Sequence, residues 1–318
     1  MRQSRDLEGK TMVVTGATAG IGRAALGALA ARGAAVIGVG RTAARCQETR
    51  QAILSEHPGA RVWFAVGDLS SQREVRQLAA EIGRLAEEAG AGQIDALINN
   101  AGTVSSWYRA TEDGYELQFA VNHLAPFLLT HDLTPLLRKA PAARVVAVSS
   151  GSHFHTRMHW QDVMFRRGYH CLRAYKQSKL ANVLFSAELN RRLSAGSRIR
   201  AYAADPGLVN TAIGEKGTGG IEKWVWTRRR NGGVSPEQGA ETVVFLAADP
   251  SVEGSEAVYW RDCQPAPPSR VARHPEEAAR LWALSERLCG ITWLGQGELS
   301  GAGMAAVGFG QEQAMAVG

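Results

Sequence analysis

The chain has 318 residues, a formal net charge of +6 at pH 7 and a 45% share of hydrophobic residues. Such a length fits one large α/β domain or two small ones, and the apolar share is enough for a substantial buried core. The apolar runs are too short for a transmembrane helix, and residues 1–10 lack the apolar core of a secretion signal.

The cysteines and the charges indicate the cellular compartment and the kinds of binding partner to expect. Cys46, Cys171, Cys263 and Cys289 are far apart and form no Cys-x-x-Cys pair, so we expect a reduced, cytoplasmic protein. The basic residues are scattered apart from the triplet at 228–230, which we interpret as a solvated loop. Attraction of an anionic substrate or cofactor is the alternative interpretation. No nucleic-acid-binding module is predicted.

The first predicted elements are a strand over residues 10–15, a glycine-rich turn, and a helix to about Arg32. The turn reads Gly-x-x-x-Gly-x-Gly. Glycines let the backbone approach a pyrophosphate, and a helix N-terminus offers free N–H groups, so this unit predicts a dinucleotide site. The alternative is a tight turn that needs positive φ. The predicted cofactor contacts here are Gly16, Thr18, Ala19, Gly20, Ile21 and Gly22.

The second predicted strand, residues 34–40, ends beside arginines rather than a carboxylate. In an NAD site an acidic residue about 20 positions after the glycines binds the ribose 2′-hydroxyl. Here Arg41 follows the strand, and its guanidinium, assisted by Arg45, suits a 2′-phosphate. The pattern favours NADP(H) over NAD(H). Alternatively, Arg41 is a surface residue that opens the next helix.

Asp68 and Leu69 follow the third predicted strand, residues 61–66. They lie where an adenine ring would sit, so Asp68 could accept a hydrogen bond from the exocyclic amine. Equally, Asp68 could cap the helix that starts near Ser70. That helix, predicted over residues 71–89, has an apolar stripe at helical spacing.

The fourth predicted strand, residues 94–99, leads into Asn-Asn-Ala-Gly. Asparagine side chains can bond to turn backbone, and the small residues after them leave room for a cofactor. We therefore predict cofactor contacts from Asn99, Ala101 and Gly102.

Two further polar positions are candidates for the site. Asn122 lies inside an apolar run of a helix predicted over residues 114–137. It is either a buried amide bonded to backbone or a group that shapes the site or relays protons. Ser149 and Ser150 follow the fifth predicted strand, residues 144–148, and hydroxyls at that end of a parallel strand face the ligand crevice.

Tyr175 and Lys179 are four residues apart in a helix predicted over residues 174–185. At that spacing two side chains share a helix face, with about 5–6 Å between their Cβ atoms. A tyrosine has a pKa of about 10, and an adjacent ammonium favours the phenolate and lowers that pKa. The pair predicts a proton donor and acceptor near neutral pH. The alternative is an exposed helix with an incidental Tyr and Lys.

The remaining pattern sets the fold class. A sixth strand over residues 198–204 precedes a glycine-rich loop, and a helix over 237–247, a strand over 255–260 and a helix over 276–289 follow. We predict an α/β fold with a single Rossmann-like, doubly wound parallel sheet of about seven strands and helices on both faces. One catalytic domain is expected over residues 1–294, with a disordered Gly/Ala-rich tail over 295–318.

In this order and spacing, the motifs resemble the short-chain dehydrogenase/reductase family over about residues 8–260. Within it, the chain is similar to the retinol-dehydrogenase-like branch, because of the run from Gln177 to Phe185 and the 25-residue gap from Ser150 to Tyr175. Its Ala/Arg/Gly/Val-rich composition is typical of proteins from GC-rich bacteria. Bacterial proteins that are similar to this chain include ketoreductases of aromatic polyketide antibiotic pathways, such as the daunorubicin C-13 ketoreductase. The motifs that carry the resemblance are Thr15 to Gly22, Asp68-Leu69, Asn99 to Gly102, Asn122, Ser149-Ser150, Tyr175 to Lys179 and Pro206-Gly207.

The resemblance implies the roles of the catalytic residues. NADPH would give a hydride to a carbonyl carbon, and Ser150, with Ser149 as the fallback, would stabilise the oxygen. Tyr175 would exchange the proton, Lys179 would assist it and bind the nicotinamide ribose, and Asn122 would complete a proton path to water. The positions expected to flank the nicotinamide are Pro206, Gly207, Val209 and Thr211.

We expect the loops over residues 103–112, 151–173 and 208–235 to set specificity. Aromatic-lined pockets suit ring systems, although the same residues could be ordinary packing under loops. The expected activity is NADP(H)-dependent reduction of a ketone or aldehyde on a bulky apolar or aromatic substrate. The alternatives are a dehydrogenase of retinol-type lipophilic alcohols and a non-catalytic NADPH sensor. The aromatic residues are Trp107, Tyr108, Phe154, Trp160, Trp224 and Trp226.

Few binding partners other than the cofactor and the substrate are predicted. His153, His155 and His159 lack a Cys or acidic partner at useful spacing, so no metal site is predicted. No membrane anchor and no nucleic-acid partner are expected. As in many family members, the helices that hold Asn122 and Tyr175 could form a homo-oligomer.

Overall fold

In the computed structural model, the described residues are 5–193, 197–209 and 233–293. They form an eight-stranded sheet in the order β3-β2-β1-β4-β5-β6-β7-β8. Strands β1 to β7 are parallel, and β8 is antiparallel to β7. The strands are β1 (Thr11–Thr15), β2 (Ala35–Gly40), β3 (Arg61–Val66), β4 (Ala96–Asn99), β5 (Ala143–Val148), β6 (Ile199–Asp205), β7 (Tyr259–Arg261) and β8 (Gln264–Pro265).

Helices connect the strands and cover both faces of the sheet. A π-helical turn over Ala120–Leu124 joins α4 to α5, so the helix predicted as continuous over residues 114–137 is interrupted. A 3₁₀ turn over Gly151–His155 follows β5. The α-helices in the described segments are α1 (Gly20–Ala31), α2 (Ala43–Glu56), α3 (Gln72–Glu88), α4 (Leu117–Phe119), α5 (Ala125–Leu137), α6 (Cys171–Leu193), α7 (Pro236–Ala248) and α8 (Pro275–Cys289).

Apolar side chains on the two faces of the sheet form separate cores. Leu128 of α5 and Leu184 of α6 lie in the core that also receives Val13 of β1. The next residue, Val14, enters the opposite core with Leu26 of α1. Alternation along a strand sends successive side chains to opposite faces, so a strand covered on both sides reads as a continuous apolar run.

The fold class is confirmed, with one correction to the strand count. The sheet has eight strands rather than about seven, because the chain turns back after β7. Asp262 and Cys263 have φ of 51° and 57° between the paired residues Arg261 and Gln264, which is the geometry of a two-residue hairpin. The strand predicted over residues 255–260 is shorter and shifted, at Tyr259–Arg261.

The expectation of one domain over residues 1–294 stays a prediction, and the tail at 295–318 lies outside the described residues. Across the described segments, every helix is too short or too polar to cross a membrane.

Candidate functional site

The carboxyl ends of the central strands gather most of the predicted site residues at one edge of the sheet. The glycine-rich turn follows β1, Asn99 ends β4, Ser149 and Ser150 follow β5, and Asp205 ends β6. Helix α6 is attached at the same edge by a hydrogen bond from Lys179 Nζ to the carbonyl oxygen of Val148, 2.9 Å long. Ligands of doubly wound sheets bind in the crevice at this edge.

The glycine-rich turn has the shape of an anion-binding loop. Gly16 and Gly20 have φ of 67° and 53°, a region that favours glycine. Helix α1 begins at Gly20 with no side-chain cap and no acidic residue in its first turn, so its first N–H groups are available to a phosphate. The turn therefore fits the pyrophosphate of a dinucleotide. Thr18, Ala19, Ile21 and Gly22 lie in the same segment.

Thr15 and Asn100 lock this turn to the loop after β4, and sequence reasoning did not assign either to the site. Thr15 Oγ1 accepts hydrogen bonds from the N–H groups of Asn100 and Ala101, both at 3.0 Å. Asn100 Nδ2 donates to the Thr15 carbonyl at 2.8 Å. A Cβ on Gly16 would lie 2.9 Å from Ala101 Cα, so the two loops touch. The available signal was a hydroxyl at the end of the first strand.

The two arginines predicted to select the cofactor lie beside the turn. Arg41 and Arg45 are both exposed. Arg45 Nη2 donates to the Thr18 carbonyl at 3.3 Å, which holds its guanidinium against the glycine-rich turn. Arg41 directly follows β2 and precedes α2. Both residues were predicted to bind a phosphate on the adenosine ribose.

Asp68 caps a turn rather than the following helix. Its Oδ1 accepts from Ser70 N at 2.9 Å, whereas the N-cap of α3 is Ser71, whose hydroxyl accepts from Glu74 N. The predicted helix-capping role of Asp68 is therefore wrong in detail. Leu69 is buried in the core below this loop.

The Asn99 side chain points away from the crevice. Its Nδ2 donates to Thr130 Oγ1 of α5 at 3.1 Å, and the residue is only 2% exposed. The prediction that Asn99 contacts the cofactor therefore depends on its backbone. Ala101 and Gly102 are half-buried in the loop beside the glycine-rich turn.

Asn122 lies in the π-helical turn and is fully buried. Its Oδ1 accepts from Thr103 N at 2.7 Å, and its Nδ2 donates to the Thr103 carbonyl at 3.1 Å and to Ser178 Oγ at 2.9 Å. Ser178 Oγ donates in turn to the Tyr175 carbonyl at 2.8 Å. Asn122 is thus a satisfied buried amide that also fixes the site, and π-helical turns are frequent at functional sites.

The two serines after β5 have different surroundings. Ser149 is buried, and its hydroxyl donates to the Lys179 carbonyl at 2.8 Å. Ser150 is half-buried, and its hydroxyl hydrogen-bonds the Tyr175 side chain. The geometry therefore favours Ser150 over Ser149 as the donor beside Tyr175.

Tyr175 and Lys179 share one face of α6, with Lys179 Nζ 5.6 Å from the centre of the tyrosine ring. Burial raises the pKa of Tyr175 to about 12, the Ser150 hydrogen bond opposes this rise, and the Asp205 charge adds to it. Burial lowers the pKa of Lys179 to about 8, against the opposing effect of Asp205. The structure thus differs from the expectation of a lowered tyrosine pKa, because desolvation of the phenol outweighs the hydrogen bond from Ser150.

The segment after β6 folds over the end of its own strand. Gly207, with φ of 73°, donates its N–H to Asp205 Oδ1 at 3.0 Å, and Pro206 stands between them. Val209 forms an isolated β-bridge with Val234. The predicted contact Thr211 lies outside the described residues.

Exposed aromatic groups stand on the loops at the same edge of the sheet. Trp107 is 72% exposed and Phe154 is 43% exposed. Tyr108 packs edge-on against Tyr169, with ring centres 5.9 Å apart. Trp160, by contrast, is loop packing: its Nε1 donates to Glu277 at 3.0 Å. Trp224 and Trp226 lie outside the described residues.

Of the histidines in this loop, His153 is bonded within the protein. His153 is buried, and its Nδ1 bonds the Ser150 carbonyl at 2.8 Å. Among the residues that the structure describes, no group of three or more His, Cys, Asp or Glu could hold a metal ion.

Comparison with known proteins identifies similar sequences and a similar structure. The sequence signature described as short chain dehydrogenase matches residues 10–219. Human retinol dehydrogenase 14 is 35% identical over 309 residues, which cover 90% of this chain and 88% of that protein. Mouse polyprenol dehydrogenase is 39% identical over 292 residues, with coverage of 89% and 84%. An uncharacterised protein from Mycobacterium paratuberculosis has a similar structure, with a TM-score of 0.72, 31% identity, and coverage of 92% of this chain and 100% of that one.

Proposed function

Because the chain belongs to the short chain dehydrogenase family, whose members are oxidoreductases acting on alcohols and carbonyls, we propose that it interconverts a lipophilic carbonyl and its alcohol with NADP(H). The observation that carries this proposal is the Tyr175 hydroxyl, hydrogen-bonded to Ser150 and one helical turn from Lys179. These groups stand at the sheet edge where the glycine-rich turn offers a dinucleotide cradle.

The cofactor, when bound, supplies or accepts the hydride; the side chains of the protein handle the oxygen and the proton. Ser150 and Tyr175 together donate hydrogen bonds to the substrate oxygen, which gains negative charge during reduction. Tyr175 then gives its proton to that oxygen. With a pKa of about 12, its hydroxyl keeps the proton at neutral pH, which suits it to donate in the reductive direction.

Lys179 and Asn122 both support this chemistry. The ammonium of Lys179, with a pKa of about 8, is mostly charged at neutral pH and stabilises the oxyanion left on Tyr175. Asn122 holds the segment through Ser178, whose hydroxyl bonds the Tyr175 carbonyl. A proton path through Asn122 to water remains a proposal that rests on family resemblance.

The preference for NADP(H) rests on Arg41 and Arg45. Both residues are exposed, the Arg45 guanidinium bonds the Thr18 carbonyl of the glycine-rich turn, and the strand that precedes them ends without a carboxylate. A 2′-phosphate would gain two cationic partners there, whereas NAD(H) would gain none.

The substrate class is a bulky lipophilic carbonyl or alcohol. The curated relatives are named for retinol and polyprenol, which are both long apolar alcohols. The exposed aromatic groups Trp107 and Phe154 suit either such a chain or a fused ring system. The second candidate, a ketone on an aromatic polyketide, rests on that aromatic rim and on resemblance. A cytoplasmic location remains a prediction.

The decisive experiment follows NADPH and NADH consumption by the purified protein. The probes are small aliphatic ketones, all-trans-retinal, a polyprenal and an anthracycline side-chain ketone. We expect NADPH-dependent turnover of a lipophilic probe. Tyr175→Phe should lower that turnover by several orders of magnitude while cofactor binding persists, because the ring stays and the proton donor is lost.

Two outcomes would contradict parts of the proposal. A preference for NADH would refute the assignment of Arg41 and Arg45. Turnover that survives in Tyr175→Phe would refute the catalytic role of Tyr175. Tight NADPH binding without turnover of any probe would favour the alternative of a non-catalytic sensor.

A further inference from the structure

A buried carboxylate lies behind the Ser150–Tyr175–Lys179 group and has no part in the chemistry described above. Asp205 is only 2% exposed. Both of its oxygens accept hydrogen bonds, Oδ1 from Gly207 N at 3.0 Å and Oδ2 from the Tyr259 hydroxyl at 2.5 Å. Both hydrogen bonds come from donors outside the carboxyl group, so neither requires a proton on it. The charge is therefore fixed in one place by the turn after β6 and by β7.

This carboxylate is close to the catalytic group. Its Oδ2 lies 3.4 Å from the point that a Cβ on Gly151 would occupy, one residue beyond Ser150. The strand ends are direct neighbours, since Ser149 N donates to the Ala204 carbonyl at 2.7 Å. Its negative charge raises the pKa values of both Tyr175 and Lys179.

The other ionisable groups that face Asp205 do not neutralise it. His153, from the 3₁₀ turn after β5, is held neutral: Ser269 N donates to its Nε2 at 3.1 Å, so its Nδ1 carries the proton. Arg261 of β7 is exposed and pairs with Asp262 at 3.5 Å. The Tyr259 hydroxyl is a neutral donor, and burial together with Asp205 raises its pKa. Tyr175 is neutral, so Lys179 is the buried cation among the groups near Asp205.

We propose that Asp205 is a positioning residue of this site: its carboxylate, fixed by Tyr259 and Gly207, is the counter-charge of Lys179 and holds the Tyr175 hydroxyl in its proton-donating form. The proposal rests on the proposed function for the roles of Tyr175 and Lys179. It adds that the pH range of each direction of the reaction is set by a third, buried charge. A buried cation with a counter-charge stays protonated where desolvation alone would discharge it.

The test measures the titrations directly, without turnover. In protein labelled with ¹³Cζ-tyrosine and ¹³Cε-lysine, NMR signals are assigned with Tyr175→Phe and Lys179→Met and followed against pH. Asp205→Asn removes the charge but keeps an amide oxygen for Gly207 N. We expect the titration midpoints of Tyr175 and Lys179 both to fall by about one pH unit. Lys179 discharges below the pH at which Tyr175 titrates, so the two shifts are separable.

The direction of the two shifts separates charge from structural damage. If the substitution merely let water into the site, relief of desolvation would lower the Tyr175 midpoint but raise that of Lys179. Tyr259→Phe is the matched control, since it removes the hydroxyl and keeps the carboxylate; neither midpoint should fall.

A folded Asp205→Asn protein in which either midpoint stays in place, or in which that of Lys179 rises, would overturn the proposal. If Asp205→Asn does not fold, Asp205→Ser replaces it, since serine keeps an acceptor for Gly207 N. We expect the same fall of both titration midpoints in that variant, and the same results would overturn the proposal. Failure of the proposed function would appear separately, as absence of turnover on every probe while both midpoints still respond to Asp205.

Discussion

At the scale of single residues, Ser149 and Ser150 are adjacent hydroxyls with opposite surroundings. Ser149 donates to the Lys179 carbonyl and is buried, whereas Ser150 bonds the Tyr175 hydroxyl at the crevice. Ser150→Ala should therefore lower kcat by about 10²–10³-fold, as loss of an oxyanion donor does. Ser149→Ala should keep kcat within a few-fold and cost about 1 kcal/mol of stability for its lost hydrogen bond.

Steady-state kinetics with the best lipophilic probe, and urea unfolding of both variants, check this pair. The hydrogen bond from Ser150 also lowers the pKa of Tyr175, so Ser150→Ala should shift the tyrosine titration further upward. Equal losses of kcat in the two variants would mean that the assignment of Ser150 over Ser149 is wrong.

The residue types of the site were readable from the sequence, but their electrostatics were not. Four-residue spacing on a helix placed Lys179 beside Tyr175, and the ring and Nζ are indeed 5.6 Å apart. The direction of the tyrosine pKa depends on burial, and burial comes from elements far away in the chain. The Asp205–Tyr259 hydrogen bond, which joins residues 54 positions apart, gave no local signal at all.

At the scale of elements, two of the three glycines in helix α1 predict opposite responses to alanine. A Cβ on Gly22 would lie 2.4 Å from both Asn100 Nδ2 and the Gly16 carbonyl oxygen, closer than real Cβ contacts. Around Gly27 there is nothing within 4 Å of the added Cβ. Gly22→Ala should therefore distort the glycine-rich turn and weaken NADPH binding. Gly27→Ala should stabilise the protein by about 0.5–1 kcal/mol, since alanine is the better helix former.

Fluorescence titration with NADPH and thermal unfolding of the two variants measure these effects. Because both changes add one methyl group to the same helix, the difference between them mainly reports the contacts with Asn100 and the Gly16 carbonyl. Unchanged NADPH affinity in Gly22→Ala would show that the turn does not hold the cofactor as proposed.

The π-helical turn shows why a correct helix prediction still missed the local geometry. Apolar residues continue at helical spacing through residues 114–137, so the sequence pattern indicates one helix. The wider turn at Ala120–Leu124 becomes visible only through tertiary contacts, since it lets the Asn122 amide reach both Thr103 and Ser178. The sequence pattern could not decide whether Asn122 is a satisfied amide or a site residue. The contacts show a fully bonded amide that joins Thr103 to Ser178.

At the scale of the whole molecule, the alternation of strands and helices predicted the doubly wound sheet. This was possible because an apolar run or an amphipathic stripe involves only residues that are close together in the sequence. The positions of segments remote in sequence were not predictable in that way. The sequence predicted a helix over residues 276–289, but not that this helix, α8, would pack against α6 and beside the π-helical turn. There, Ser285 Oγ bonds His123 Nε2 at 2.8 Å, and burial lowers the pKa of His123 to about 3, so that imidazole is neutral.

The last prediction concerns how strongly α8 is joined to the helices that carry the site. Trp282 of α8 is 1% exposed and meets Phe127 of α5 and Trp293 with ring centres 4.9 and 4.7 Å apart. The Arg192 guanidinium of α6 lies 4.8 Å from its ring. Trp282→Ala should cost about 3–5 kcal/mol of unfolding free energy, as large-to-small changes in cores do. Trp107→Ala, the same change at a side chain 72% exposed in the loop after β4, should stay within about 0.5 kcal/mol.

Denaturant unfolding of both variants, with KM for the lipophilic probe measured in parallel, completes the comparison. Trp282→Ala should lower the unfolding midpoint, because α8 anchors the aromatic cluster beneath α5 and α6. Trp107→Ala should keep that midpoint and raise KM, because its ring is free to contact an apolar substrate rather than the core. A Trp282→Ala protein as stable as the wild type would mean that α8 is not part of the cooperative unit that positions Asn122 and Tyr175.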